Sequence, residues 1–341
     1  MISKLKKFLF IVFVFLIATS CGCSKDTLEI VEPVQDFLEM QEIYSSKITH
    51  IDYKNIEKLN IPLEDVDVSL ICNRVDETLE VDYSFVEIKD AIVQKGNTVC
   101  IDYKIINENQ KEVYSDTNVK VVIGTGCFDN IIENALLNHK AGDTVSLSNS
   151  IITNTLIATY KNVTVKITIK GIYKYTQTGS KTLLEKHGFI SFEDYYIYLY
   201  NIASDELKNE NIIKQKYEFF NQTIKNCNFM IDDNELTSFS LKTVLSHEEQ
   251  AALFGLTLEE YYTNILGITE NEFFKKITID SEYGIKKMLV VGALAQQYNI
   301  IVNDEIFEDF CRSNKLNLKN DKNMTEAYYC CLEEQVISYF L

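Results

Sequence analysis

The chain has 341 residues, of which 46% are hydrophobic and 24% charged, and its formal net charge is −17. These are ordinary globular values for a chain long enough to hold two or three domains with ample core. The charge excludes a nucleic-acid binder, because counterion release needs clustered Lys and Arg; an acidic surface instead solubilises the body and keeps it off anionic lipid.

The first stretch, MISKLKKFLFIVFVFLIATSCGCSK, has a basic start (Lys4, Lys6, Lys7), an apolar run from Phe8 to Ala18, and the small residues Thr19 and Ser20 before Cys21. That is the pattern of a secretory signal, and the run is too short to span a bilayer. A cysteine directly after such a site resembles the lipobox of bacterial lipoproteins. The resemblance implies a signal over residues 1–20, lipid on Cys21 (with Cys23 the alternative acceptor) and a body held at the extracytoplasmic face of the cell membrane.

Residues 21–92 read as tether and linker. They hold both prolines of the chain, Pro33 and Pro62. His50 to Ser69 reads as short extended pieces, and Val66 to about Lys89 alternates weakly. From about Gln94 to Tyr175 the hydrophobic period becomes two, in TVCIDYKII, VKVVIG, DTVSLSNSI and VTVKITIKGIYKY. One helical stretch, Phe128 to Asn138, interrupts the strands and places Phe128, Ile131 or Ile132, Ala135 and Leu136 on one face. Residues 93–176 are thus a small α+β module.

Residues 177–341 read as helical. Ser191-Phe-Glu-Asp194 is a cap for a long helix, and Thr257-x-x-Glu260 and Thr269-x-x-Glu272 are capping boxes with Gly267 as a stop between them. Asn303 or Asp304 starts a further helix.

Chemistry-bearing clusters are sparse. Nine cysteines form no C-x-x-C pair, the four histidines stand singly, and no cofactor or metal is called for. Cys100 and Cys127 read as small hydrophobes. In VVIGTGCFDNIIENALLNHKAGDTV (Val121–Val145) a Gly-x-Gly turn follows a β-branched run. A dinucleotide loop needs a third glycine, but Asp129 stands there and would repel phosphate. Gly124 and Gly126 therefore read as turn residues.

The order of these motifs resembles a known family. GNTVCIDYKI, KEVYSD and VVIGTGCFDNIIENALLNHKAGDTVSL are similar to the FK506-binding-protein type of peptidyl-prolyl isomerase domain in the version carried by trigger factor. Gly124, Gly126, Phe128, Glu133, Lys140, Gly142 and Asp143 fall on its pattern without gaps. IDYKNIEKLNI (Ile51–Ile61) resembles the segment that leads into that domain, and FGLTLEEYYTNILGITENEFFKKI (Phe254–Ile277) resembles the helical C-terminal chaperone arms. The implied fold is α+β: a small antiparallel-sheet isomerase-like domain with one helix, followed by an all-α helical domain of trigger-factor type.

The resemblance also implies a proline pocket. Tyr103 and Tyr114 would form walls, Phe128 the rim, Ile132 the floor and Val165 a further wall, while the backbone N–H of Asp129 would hold the substrate carbonyl. Rotation about a prolyl amide faces a barrier of about 18–20 kcal/mol and needs no acid, base or metal, only apolar walls and a placed amide. The family has aromatic rings where Ile132 and Val165 stand, an acidic residue where Ser115 stands beside Asp116, and a tyrosine where Thr155 stands. The ribosome-docking loop of trigger factor has no counterpart, so no ribosome partner is implied. The expected function is a membrane-anchored folding factor, isomerase and chaperone, acting on unfolded exported polypeptides. The alternatives are a holdase without isomerase activity and a solute-binding lipoprotein, which would have two lobes with parallel sheets.

Overall fold

A computed structural model describes residues 48–80, 83–153, 159–177, 188–316 and 321–341. The signal-like stretch, Cys21, Cys23 and Thr155 lie outside the described residues. In chain order the elements are β1 (Ile48–Ile51), α1 (Tyr53–Ile56), α2 (Val68–Leu79), β2 (Tyr83–Glu87), β3 (Thr98–Ile106), β4 (Glu112–Val122), α3 (Asn130–Leu136), β5 (Thr144–Thr153), β6 (Thr159–Gln177), α4 (Phe192–Lys225), β7 (Cys227–Phe229), α5 (Asp233–Leu253), α6 (Leu258–Glu260), α7 (Glu270–Tyr298), α8 (Asp304–Ser313) and α9 (Asp321–Phe340). The fold is α+β, and every strand pairing among the described residues is antiparallel. Among the described residues there are no parallel sheets of the kind a two-lobed solute-binding protein would have.

The chain forms two compact units. One is Pro62–Gln215; the other joins the described residues before Pro62 to Lys216–Leu341. In the first unit, β2 to β6 make a five-stranded sheet of order β2-β6-β3-β4, with β5 also on β6. The 19 residues of β6 allow this. Its first half pairs with β5 (Leu147↔Val165), its last turns outward to β2 (Tyr83↔Gln177), and β3 runs along its other edge (Tyr103↔Ile167).

Strand alternation buries one face. Val99, Ile101, Tyr103 and Ile105 of β3 and Val163, Val165, Ile167 and Ile169 of β6 are all buried. The ladder slips beside Gly171, where an added Cβ would lie 2.6 Å from the Tyr173 ring. That ring lies across the glycine and stacks on Phe85 at 4.2 Å. Against the buried face pack α3, α2 and the first turns of α4, which contribute Leu136, Ile71, Val75, Tyr196 and Tyr200 to one core.

The sequence-based division into 21–92, 93–176 and 177–341 differs from these units at both ends. Part of residues 62–92 is built into the first unit. Asp67 caps α2 by accepting from the Ser69 N–H at 2.8 Å, and Val68, Ile71, Cys72, Val75 and Leu79 then bury one face. Ile131, expected on the inner face of α3, is exposed; Ile132 and Leu136 point inward instead. At the other end, the beginning of α4 belongs with the sheet because its tyrosines fill the same core.

The second unit is mainly helical but not all-α, since β1 pairs with β7 (Ile51↔Cys227). Ile56 of α1 is buried with Phe219, Phe220, Val290, Leu294 and Leu332. The unit's capping boxes at Thr257 and Thr269 are both closed, and in the first unit Ser191 Oγ accepts from the Asp194 N–H at 3.1 Å, as expected of a cap. After the first box a wide, π-type turn (Tyr261–Leu266) follows the single turn of α6 and ends at Gly267, φ +68°. Asn303 is the residue that caps α8, accepting from the Ile306 N–H at 2.9 Å. Among the described residues no helix is long and apolar enough to cross a membrane.

Candidate functional site

The Gly-x-Gly turn is an anion nest, and the anion is the chain's own. Gly124 (φ +97°) and Gly126 (φ +72°) take up left-handed conformations that turn successive N–H groups inward. The buried carboxylate of Glu133 accepts from the Gly124 N–H at 2.8 Å, the Gly126 N–H at 3.0 Å and the Phe128 N–H at 3.2 Å. Burial raises this carboxyl against the opposing pull of the three amides. Asp129 fills the neighbouring helix N-terminus, accepting from Ile131 N–H at 2.7 Å and Ile132 N–H at 3.1 Å. The donors a phosphate would use are thus already engaged. Sequence reading placed Glu133 on a motif but missed this role; the Gly-x-Gly-x-Phe-x₄-Glu spacing is the signal that carries it.

The loop so fixed delivers Phe128 to the sheet. Its ring meets Tyr103 edge-on at 5.3 Å, and Tyr103 lies 5.6 Å from Tyr114 across the β3–β4 ladder. Tyr103, Phe128, Ile132 and Val165 share one core cluster, and Tyr114 packs against it. The structure thus brings five of the six expected residues together, with Asp129 directly after Phe128. Yet Tyr103 is 3% exposed, Phe128 6%, Ile132 1% and Val165 0%. Walls of a pocket would face solvent; these do not.

The same core cluster takes in part of the chain read as linker, Val66 to Leu79. The Tyr114 phenol feels Asp67 and Ser69 at the start of α2, and also Tyr103. Burial, then the Asp67 contact, pushes the Tyr114 phenol up to about 12, and burial pushes Tyr103 up as well. Burial likewise raises the Cys127 thiol to about 11. These phenols and this thiol therefore stay protonated at physiological pH, which does not suit proton transfer or thiolate attack. Among the described residues no group of three or more His, Cys, Asp or Glu is placed to hold a metal ion.

The far end of α2 carries a buried charge. Asp76 accepts from the Tyr175 hydroxyl and pairs with Lys120 Nζ at 3.3 Å, with Glu80 of its own helix also facing Lys120 at 3.6 Å. Burial raises its carboxyl to about 6, against the pull of Tyr175 and Lys120. A carboxyl raised on folding contributes stability that is present below its unfolded value near 4 and lost as pH rises through about 6. Asp76→Asn is therefore expected to be at least as stable as the natural chain at pH 7.5. It should also remove part of the natural chain's fall in stability between pH 5 and pH 7.5, read from urea midpoints. Equal slopes in the two proteins would show that Asp76 carries no such linkage.

The helical unit offers a different kind of surface. Leu241, Leu245, Leu253, Phe254, Phe274 and Ile279 on and beside α5 and α7 are exposed. Only His247 and Ala251 of α5 are buried, although the helix is 21 residues long. Side chains this large leave much of their apolar surface in water along these helices.

No protein-family model matches the chain, and no curated protein does. Among solved structures it aligns with a trigger factor chaperone described for promiscuous substrate recognition in folding and assembly. That alignment covers 86% of this chain and 72% of the other, at 19% identity and a TM-score of 0.32. At that identity and score the likeness decides neither fold nor function.

Proposed function

We propose that the protein is a folding factor of trigger-factor type: a chaperone for unfolded exported polypeptides with an isomerase-type module. On this reading it is held by lipid on Cys21 at the outer face of the cell membrane. The observation that carries the chaperone part is the apolar surface left exposed on α5 and α7, with Leu253 71% and Leu241 61% exposed. Unfolded chains present apolar side chains in no fixed order, and such a surface recognises them by burial alone. The isomerase part rests on the co-linear motifs and on the Tyr103–Tyr114–Phe128 cluster beside the Asp129 backbone. There an apolar site would favour the twisted amide, and a main-chain N–H would hold the substrate carbonyl.

Two readouts separate the parts. The protein, added to a client whose refolding is limited by one cis-proline, is expected to speed the slow phase, and Tyr114→Ala to reduce that effect by about tenfold or more. Tyr114 is chosen because it is half-buried, whereas Tyr103→Ala or Phe128→Ala would empty the core. Suppression of client aggregation is expected to survive Tyr114→Ala and to weaken in Leu241→Ser/Leu245→Ser. Aggregation suppressed without any acceleration would leave a holdase; neither effect in the natural chain would overturn the proposal.

A further inference from the structure

We infer that the segment Asp65–Leu79 is a built-in cover over the candidate proline site, displaced when a polypeptide binds. The inference rests on the isomerase-type reading above and adds how its site is regulated. Everything it uses lies within the unit Pro62–Gln215.

Two sets of contacts place the cover. Val66, Val68, Ile71, Cys72, Val75 and Leu79 are buried in the same cluster as Tyr103, Phe128, Ile132 and Val165. At the front, Asp67 accepts from the Ser69 N–H at 2.8 Å and the Ser69 hydroxyl at 2.7 Å, so the carboxylate that starts α2 is the one that meets Tyr114. The chain's own Pro62 is exposed. The site is therefore closed by this helix start and not by a proline bound in it.

The margins of the cover are polar and reach solvent. Arg74 pairs with Glu210 at 3.2 Å, Asn211 donates to the Glu64 carbonyl at 2.9 Å, and Lys120 reaches Glu80 at 3.6 Å. Contacts of that kind exchange readily with water. A helix of 12 residues is also marginal by itself, so α2 persists through the apolar face it buries. A free proline dipeptide cannot replace that face. An unfolded polypeptide can, provided that large apolar side chains flank its proline, because one apolar segment then takes the place of another. The cover thus selects for unfolded apolar stretches and excludes solvent-exposed prolines of folded proteins.

The experiment uses the purified protein and an Ala-Leu-Pro-Phe anilide tetrapeptide, with two readouts. They are amide hydrogen exchange over 68–79 and the methyl NMR signal of Ile132. Saturating tetrapeptide is expected to speed exchange across 68–79 while β3 stays protected, and to shift the Ile132 signal. Asp67→Ala/Arg74→Ala cuts the cap and the Glu210 tie; if it raises the open population about tenfold, tetrapeptide affinity should rise by about the same factor. An Ile132 shift with unchanged exchange over 68–79 would mean a site open beneath α2. That outcome overturns the cover and leaves the isomerase reading intact. No Ile132 shift in either protein, even where the variant's α2 exchanges faster, would overturn both. Should the variant fail to fold, the natural protein's exchange with and without tetrapeptide decides the question.

Discussion

Glu133→Ala is expected to destabilise the unit Pro62–Gln215 by about 3–5 kcal/mol. The side chain is 2% exposed and accepts from three main-chain N–H groups at 2.8, 3.0 and 3.2 Å. Its loss leaves those donors facing a cavity, and each unsatisfied buried donor costs about 1–3 kcal/mol before the loop relaxes. Relaxation is limited because Gly124 and Gly126 hold conformations chosen to point their amides at this carboxylate. Glu133→Gln keeps one accepting oxygen but turns an NH₂ toward the same donors, so its loss should fall between the natural chain and alanine. The chain lacks tryptophan, so urea unfolding would be followed by tyrosine fluorescence and far-ultraviolet circular dichroism. A change below about 1 kcal/mol for Glu133→Ala would mean that the three contacts do not organise the loop. Phe128, two residues after the second glycine, should lose its edge contact with Tyr103 in the same variant. A folding defect and a lost aromatic cluster are therefore one event here.

That coupling shows what the sequence could and could not disclose. Gly124 and Gly126 announced a turn, and Asp129 argued against phosphate. Choosing Glu133 as the bound anion required knowing that one helical turn folds back over the loop. The strands of 98–177 were legible because β-branched residues alternate in them, and the capping boxes at Thr257 and Thr269 because their four residues are local. Helix α2 was not. Its apolar residues Val68, Ile71, Cys72, Val75 and Leu79 do follow a helical spacing. The β-branched Val66, Val68 and Val75 gave the stretch a strand-like look, and no Glu three residues past the cap completed a box. Sequence alone therefore named residues that share one core cluster but described an open pocket, because the helix packed in that cluster reads as a linker.

The second unit makes the same point with a larger test. Ile51–Ile61 looks like a connecting segment, and a charged substitution in a solvated linker changes stability by less than about 0.5 kcal/mol. In the structure Ile56 is 1% exposed among Phe219, Phe220 and Leu294. Its one-turn helix is set by Asp52, whose carboxylate accepts from the Asn55 N–H at 3.2 Å, and the strand before it pairs with Cys227–Phe229. Nearby, the Tyr298 hydroxyl of α7 donates to Glu57 at 2.8 Å. Ile56→Asp places a carboxylate among these rings without a partner, which is expected to cost about 4 kcal/mol or more, whether borne as a buried charge or as a forced protonation. Thermal unfolding watched at 222 nm, where the helices dominate, should move to markedly lower temperature. The methyl NMR signal of Ile132 in the sheet unit serves as an internal comparison. An unchanged melting curve would return residues 51–61 to the status of linker. A collapse of the helical signal would show that a four-residue strand and a single helical turn, too short to be read by periodicity, complete the core of a unit that resumes some 160 residues later.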